Sequence, residues 1–289
     1  MSPLEPNKLF DATYYATGCG QPYARSEAFM AFFGAVAERI VAEIGPRTAL
    51  DAGCALGLLV EQLRARGVEA EGVDISEFAI AGAHESVREH VRVGSVAEPF
   101  GRRYDLIVCI EVLEHMPRAE AEAAVANFCA HSDDVLFSSS PHDYREATHF
   151  NVNPPEHWAA LFARHGLFRD VDFDASFITP WAARFRRTGE PPHRVVRDYE
   201  RRLWELRRES DDLRALALEQ REALAAGEAA RAEAARLAAV AEGAGAYAAR
   251  LEAELAAKDA HIAQLEGLIR RLESGRAMRL LRALTRRGR

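Results

Sequence analysis

The segment Thr48-Ala-Leu-Asp51-Ala-Gly53-Cys54-Ala-Leu-Gly57 constrains this chain more than any other. A short apolar run ends in a carboxylate, two glycines follow, and a helical pattern, Leu58–Arg66, begins at once. Glycine lets a backbone turn sharply and come close to a ligand, and the first turn of the helix behind it offers free N–H groups. Further apolar runs at Glu69–Asp74, Val91–Val93, Asp105–Ile110 and Val135–Ser138 alternate with helical stretches at Ser76–His84 and Arg118–His131. Strands alternating with helices predict right-handed crossovers and an α/β fold, its mostly parallel sheet covered on both faces. Such doubly wound sheets bind nucleotides at the carboxyl ends of their strands, where the glycine turn falls. Phe168–Phe173 and Phe177–Phe185 read as two more strands joined by a tight turn. Ala24–Ile44 reads as an amphipathic cap or lid helix ahead of the first strand.

The turn is not that of a dinucleotide site. A G-x-G-x-x-G fingerprint would need glycine where Ala55 and Leu58 stand, which disfavours a dehydrogenase. The next strand ends Gly72-Val73-Asp74-Ile75-Ser76, and a carboxylate at Asp74 is placed to accept both hydroxyls of a ribose. Asp51 stands where a carboxylate can receive the ammonium of an amino acid, directly or through water. Together they ask for a nucleoside with an amino-acid end and no pyrophosphate, a description that S-adenosyl-L-methionine meets.

At this point the sequence resembles the class I S-adenosylmethionine-dependent methyltransferases. The likeness rests on Asp51-Ala-Gly53-Cys54-x-x-Gly57, on Asp74, on Gly94-Ser95-Val96, and on Tyr104-Asp105-Leu106-Ile107-Val108-Cys109-Ile110-Glu111-Val112-Leu113-Glu114-His115; it covers residues 45–185. The resemblance implies a Rossmann-like fold with a seven-stranded, mostly parallel sheet. It implies that Asp51, Gly53, Cys54 and Gly57 line the methionine end of the cofactor. Asp74 and Ile75 would hold the ribose, Ser95 and Val96 flank the adenine, and Glu111 lie near the transferred methyl group. Many relatives carry an acidic residue where Ser95 stands, which leaves the adenine amino group a backbone contact here.

Glu111-Val-Leu-Glu114-His115-Met-Pro117 is similar to a segment of ubiquinone-pathway O-methyltransferases and small-RNA end methyltransferases that binds a divalent metal with a later histidine. The later residue would be His149, so the resemblance implies Glu111, Glu114, His115 and His149 as ligands of an ion such as Mg. The same segment also occurs in metal-free relatives, where Glu111 and His115 shape the loop. Without a metal, His149 or His115 is the natural general base for a hydroxyl acceptor, with His142 a third candidate. Near the start, Tyr14-Tyr15-x-x-Gly18-Cys19-Gly20-x-Pro22-Tyr23-x-Arg25 combines aromatics, glycines and a cation. Tyr15, Tyr23 and Arg25 are expected to close over cofactor and acceptor, with Arg25 meeting a carboxylate or phosphate.

Composition shifts at Pro191-Pro192. Beyond it there is no proline, and Ala, Arg, Glu and Leu dominate, as in a long helix. A heptad frame runs from Leu206 through Leu213 and Leu216 to Leu251, Leu255, Ile262, Leu265, Ile269 and Leu272, with small residues in the middle. Sustained heptads predict a coiled coil; a single helix folded back, or an antiparallel hairpin bending near Gly243 or Gly245, are the alternatives. The expected plan is a cap over 1–45, a cofactor domain over 46–187, a linker over 188–194, a coiled coil over 195–275 and a basic amphipathic tail over 276–289. That tail, with arginines among apolar residues, could lie on an anionic membrane surface. The coiled coil resembles that of bacterial polysaccharide chain-end methyltransferases.

A formal charge of −7 argues against bulk attraction to nucleic acid, and no partner of that kind is expected. Four scattered cysteines suit reduced thiols, and no leader or membrane span is legible, so a cytoplasmic enzyme is expected, peripheral to a membrane at most. The leading expectation is O-methylation of a sugar in a cell-envelope polysaccharide or glycolipid, with self-association or a partner protein through the coiled coil. A small-molecule O-methyltransferase of quinone or secondary metabolism is the alternative within enzymes, and an inactive scaffold with this fold is the alternative outside them.

Overall fold

Apolar runs flanked by helices bury both faces of a sheet, and that is how the chain folds in a computed structural model that describes residues 9–18 and 21–275. The strands are β1 (Thr48–Ala52), β2 (Glu69–Asp74), β3 (Val91–Val93), β4 (Leu106–Ile110), β5 (Asp134–Ser138), β6 (Leu167–Arg169) and β7 (Ala183–Arg187). They form one sheet in the order β3-β2-β1-β4-β5-β7-β6. The first five are parallel, while β7 runs antiparallel to both β5 and β6. The seven-stranded, mostly parallel sheet expected from the sequence is therefore present, with an antiparallel hairpin at one edge.

Alternation along each buried strand feeds two cores. Ile107 and Cys109 of β4 and Val135 and Phe137 of β5 face one side, packed under α4 (Arg118–His131) and α5 (Pro155–Arg164) through Val125, Phe128, Trp158 and Phe162. Leu106, Val108 and Leu136 face the other, against Val36 and Ile40 of α1 (Glu27–Glu43) and Leu59 and Leu63 of α2 (Leu58–Ala65). Cys54, Cys109 and Cys129 are buried free thiols.

Several boundaries differ from the sequence expectation. Ser26 caps α1 by accepting from the N–H of Phe29, so the helix starts at Glu27 rather than Ala24. Ser76 likewise caps α3 (Glu77–Ala81), which stops at Gly82 rather than His84. The two long strands expected over Phe168–Phe173 and Phe177–Phe185 shrink to β6 and β7. Between them Asp170 accepts from the N–H of Asp172 and Asp174 from that of Ser176, so side chains satisfy backbone groups that a ladder would need.

The proline pair does not open a linker reaching to residue 194. Pro192 is the first residue of α6 (Pro192–Ser274), a position where proline's missing N–H costs nothing. The compact first unit runs to Glu205, because the early turns of α6 belong to it: Arg169 N–H donates to the Tyr199 hydroxyl, and Arg201 pairs with Asp172. The second unit, from Leu206 on, is helical as far as Ser274 and passes unbroken through Gly243 and Gly245, so no hairpin forms there. Leu206, Leu213, Leu216, Leu251, Leu255, Ile262, Leu265, Ile269 and Leu272 are all exposed along it. The basic segment 276–289, with Cys19 and Gly20, lies outside the described residues. Among the described residues no helix is long and apolar enough to cross a membrane.

A fragment ending at Arg187 loses Tyr199 and Arg201, whereas one ending at Glu205 keeps both. Loss of about 1 kcal/mol of hydrogen bonding should lower the melting temperature of the shorter fragment by about 2–4 °C, measured by circular dichroism at equal concentration.

Candidate functional site

The chain leaves β1 in one direction to build β2 and β3, then returns to build β4 on the other flank of β1. A crevice opens at the carboxyl ends of β1 and β4, the place where doubly wound sheets bind ligands. Both of the non-glycine residues with positive φ among those described stand there: Ala55 (φ +47°) after β1 and Glu111 (φ +51°) after β4. Each such residue costs on the order of 1–2 kcal/mol, a strain that clusters at functional sites.

The turn after β1 is pinned from the neighbouring strand. Gly53 (φ +90°) and Cys54 both donate their N–H groups to the carbonyl of Val73, at 2.7 and 3.1 Å. A Cβ on Gly53 would overlap the side chain of Val112, so the position combines a left-handed backbone with a close approach. Gly57 (φ +72°) starts α2. Asp74 closes the cradle: its two carboxylate oxygens accept from the N–H groups of Ala55 and Ser76, each at 2.8 Å. Burial pushes the Asp74 carboxyl up, opposed by the N–H groups of Ser76, Ala55 and Ile75. Asp51, also buried, is pushed up to about 8, chiefly by burial and then by the Asp74 charge. A cationic group entering beside Asp51 would relieve both causes.

On the adenine side, Ser95 is turned into its own loop, accepting from the N–H of Ala97, and Val96 is buried. Asn127, on the buried face of α4, donates to the carbonyls of Val96 (2.9 Å) and Glu98 (2.6 Å) and holds this loop in place. The sequence reading missed it; a lone amide between Val125 and Phe128 on an otherwise apolar stripe was the available signal.

Beyond β4 the Glu-Val-Leu-Glu-His segment splits in two. Glu111 accepts from the Trp181 indole N–H at 2.9 Å, and the edge of His142 meets the Trp181 ring at 5.3 Å. Trp181, from the irregular stretch between β6 and β7, was also missed. Glu114 is fully buried, its Oε1 accepting from Ser140 N–H at 3.1 Å while Oε2 receives no hydrogen bond. Burial, and next the charge of Glu111, holds its carboxyl well above the usual range.

The carbonyl of Glu114 accepts from the N–H groups of Phe150 and Asn151, and the Asn151 amide donates to the carbonyl of Leu113. These bonds bring His149 against His115, ring centroids 4.5 Å apart. Thr148 donates its hydroxyl proton to Glu146 and so accepts from His115 Nδ1 at 2.9 Å, which leaves the lone pair of His115 on Nε2. Burial, and then His149, lowers His115 to about 4, so its ring is neutral. His149 donates from Nδ1 to the carbonyl of Asp143 at 2.8 Å. The ligand atoms of Glu114, His115 and His149 lie within 4.8 Å of one another, a set suited to a divalent cation; Glu111 does not join them.

The N-terminal segment reaches this site through its aromatics. Tyr15 is buried, stacked on Phe78 and beside Tyr23. Ser76 donates its hydroxyl to the carbonyl of Phe10 at 2.6 Å, and the rings of Phe10 and Tyr14 meet His115 edge-on. Arg25 forms a forked pair with Glu61 of α2 at 3.0 and 2.7 Å, so a carboxylate of this chain occupies it.

Comparison with known proteins gives the family. The family described as a methyltransferase domain matches residues 28–172, half of the chain, and the chain belongs to that family. The ubiquinone biosynthesis O-methyltransferase of Alkalilimnicola ehrlichii is 34% identical over 132 residues, 43% of this chain and 49% of that protein. Its namesake from Nitrosomonas europaea is 32% identical over 101 residues, 32% of this chain and 42% of that protein. The chain thus spans less than half the length of these curated relatives. Among solved structures, magnesium protoporphyrin IX methyltransferase from Synechocystis with bound S-adenosylmethionine covers 65% of this chain and 100% of its own, at 19% identity and a TM-score of 0.49.

The residues fit S-adenosylmethionine: two buried carboxylates for an ammonium and a ribose, and a glycine cradle that admits no Cβ at Gly53. Without ligand, folded Asp51 keeps its proton up to about pH 8, whereas an unfolded chain releases it near the ordinary carboxylate value. Folding stability from this group therefore falls as pH rises between those two values. Calorimetry of adenosylhomocysteine binding at pH 7, in buffers of different ionisation enthalpy, should show release of about one proton in the native protein and none in Asp51→Asn.

Proposed function

We propose that this protein is an S-adenosylmethionine-dependent O-methyltransferase whose acceptor is a sugar of a cell-envelope polysaccharide or glycolipid. The observation that carries methyl transfer to oxygen is the meeting, at one switch point, of the Asp51–Asp74 cradle with the buried His115–His149 pair. The cofactor supplies an activated methyl group when bound. Asp51 holds its ammonium, Asp74 its ribose, and Gly53 keeps the floor of the site open. His115 presents an unprotonated Nε2 to an acceptor hydroxyl, with the ring of His149 packed against it. Such nitrogens can take the acceptor proton themselves or hold a cation that acidifies it. Phe10, Tyr14, Tyr15 and Tyr23 limit the access of water from the N-terminal side.

The tail supports a large, immobile acceptor. An exposed apolar seam from Leu206 to Leu272 is unstable as a lone helix face in water and favours association with itself or with a partner protein. Holding an enzyme near a polymerising glycan is a use for such a seam; a freely diffusing metabolite needs none. The basic segment 276–289 would add attraction to an anionic inner membrane face. Similarity to ubiquinone enzymes favours a second reading, a small-molecule O-methyltransferase. Labelled cofactor offered to a panel of envelope glycans and to catechol-type quinone precursors separates the two by which acceptor becomes labelled.

Adenosylmethionine and adenosylhomocysteine should bind at about micromolar strength, and Asp74→Ala should weaken both by at least ~1.5 kcal/mol through lost charged hydrogen bonds. A chain that binds neither would be a scaffold and not an enzyme. With an acceptor in hand, His149→Ala should slow the chemical step on the order of 10²-fold or more in single-turnover assays. Light scattering should find the full chain oligomeric and the fragment ending at Glu205 monomeric. A full chain that stays monomeric at high concentration would remove the main support for the polysaccharide acceptor.

A further inference from the structure

The apolar seam of the tail has a symmetry that its composition conceals. Along α6, from Leu206 to Leu272, seam positions recur at alternating steps of three and four, and the large ones are exposed. Three of these positions are polar, Glu209, Gln220 and Lys258, and one, Gly227, has no side chain. Where those four fall decides what can cover the seam.

A parallel pair of helices sets each seam residue against its own counterpart. Lys258 would then face Lys258, and Glu209 face Glu209, bringing like charges together between two helices. Gly227 would face Gly227 while Leu251 and Leu255 faced themselves, so the helices would have to draw close and then spread. The flanks add to the mismatch, since Asp259 would come beside Glu254 of the second copy.

Reversing the second copy about Ala239 removes these conflicts. Gln220 and Lys258 are equidistant from Ala239, so each Lys258 ammonium meets a Gln220 amide oxygen that can accept its hydrogen bond. Leu251 packs over Gly227 and Leu255 over Ala223, large against small. Toward the ends Leu213 meets Leu265, and Leu216 meets Ile262. The acidic flank of Glu252, Asp259 and Glu266 lies along Leu224, Ala217 and Ser210, which carry no charge. Glu209 is left opposite Ile269, within a turn of the end of the seam, where its carboxylate stays in water.

We propose that the seam is covered by a second copy of this chain, its helix antiparallel and centred on Ala239. The proposal rests on the reading of the tail as a self-associating seam, and adds the partner and its direction. Polar residues inside a coiled coil fix its register at a cost in stability, and the Gln220–Lys258 layer, occurring twice, is that device here. Leu206 of the two copies then lies at opposite ends of the coil, about 100 Å apart.

The test is pulsed electron paramagnetic resonance on the full chain with one nitroxide, attached through Ala239→Cys or Ala253→Cys in a Cys19→Ser background; Cys54, Cys109 and Cys129 are buried. Both alanines are exposed and lie outside the seam. The antiparallel pair should give about 20–30 Å between labels at 239. At 253, which lies about 20 Å further along each helix, it should give about 45–50 Å. Short distances at both sites would mean a parallel pair and overturn the proposal, while leaving self-association standing. No dipolar signal from either label, with a monomer in light scattering, would overturn both and assign the seam to a different protein. Gln220→Glu adds a readout of opposite sign for the two alignments, measured as the dissociation constant by sedimentation. It should tighten the antiparallel pair about threefold or more by giving each Lys258 an opposite charge. Weakening, as two carboxylates meeting at one level of a parallel pair require, would overturn the proposal.

Discussion

Parallel pairing of β1 with β4 is the constraint on which the rest of the site depends. Ala49, Leu50 and Asp51 lie in register with Leu106, Ile107 and Val108, so the two strands end side by side and their following turns face one another. Much of the chemical character of the site emerges at those two ends. Asp51, Gly53 and Ala55 follow β1, while Glu111, Glu114 and His115 follow β4. Because Val112 fills the space over Gly53, the glycine turn and the loop after β4 are packed against each other. A shift of either strand by one residue would flip every side chain and send Leu50 and Ile107 into the opposite core, where they do not fit their neighbours.

The sequence made much of this legible because it is written in local chemistry. Five strands of the parallel sheet follow from apolar runs, and the cradle follows from glycine spacing with a carboxylate on the next strand. What could not be read depends on long-range partners. Asn127 and Asn151 are ordinary polar letters in the chain, yet each satisfies main-chain groups of a distant loop. Trp181 lies 70 residues from the Glu111 that it binds. The β6–β7 region misled because Phe168, Phe173 and Phe177 are residues that favour strands, while Asp170 and Asp174 spend their carboxylates on backbone N–H groups.

Electrostatics divides the site into two regions of different temper. Around Asp51 and Asp74, buried carboxyls pushed toward their neutral forms have no basic side chain paired with them in the hydrogen bonds described. Around His115 and His149, buried imidazoles and carboxyls crowd together, and the raised Glu114 and lowered His115 both answer burial by favouring the neutral form. Neutrality is the cheaper state for a group sealed from water, so both regions gain most when a charged ligand arrives. The long exposed helix beyond Glu205 shows the opposite economy, with its ion pairs, such as Arg250 with Glu254, lying on the surface where water screens them.

The loop that carries His149 is fastened to the turn after β4 chiefly by main-chain atoms. Phe150 and Asn151 donate their N–H groups to the carbonyl of Glu114, not to its carboxylate. A peptide group is the same whatever side chain it bears. Residues 114 and 149 can therefore change in evolution without the loop losing its anchorage, and the two halves of the acceptor side stay in register while their chemistry is rewritten. Such a clasp lets one scaffold accumulate new substrates by point substitution, with its fold left intact at each step.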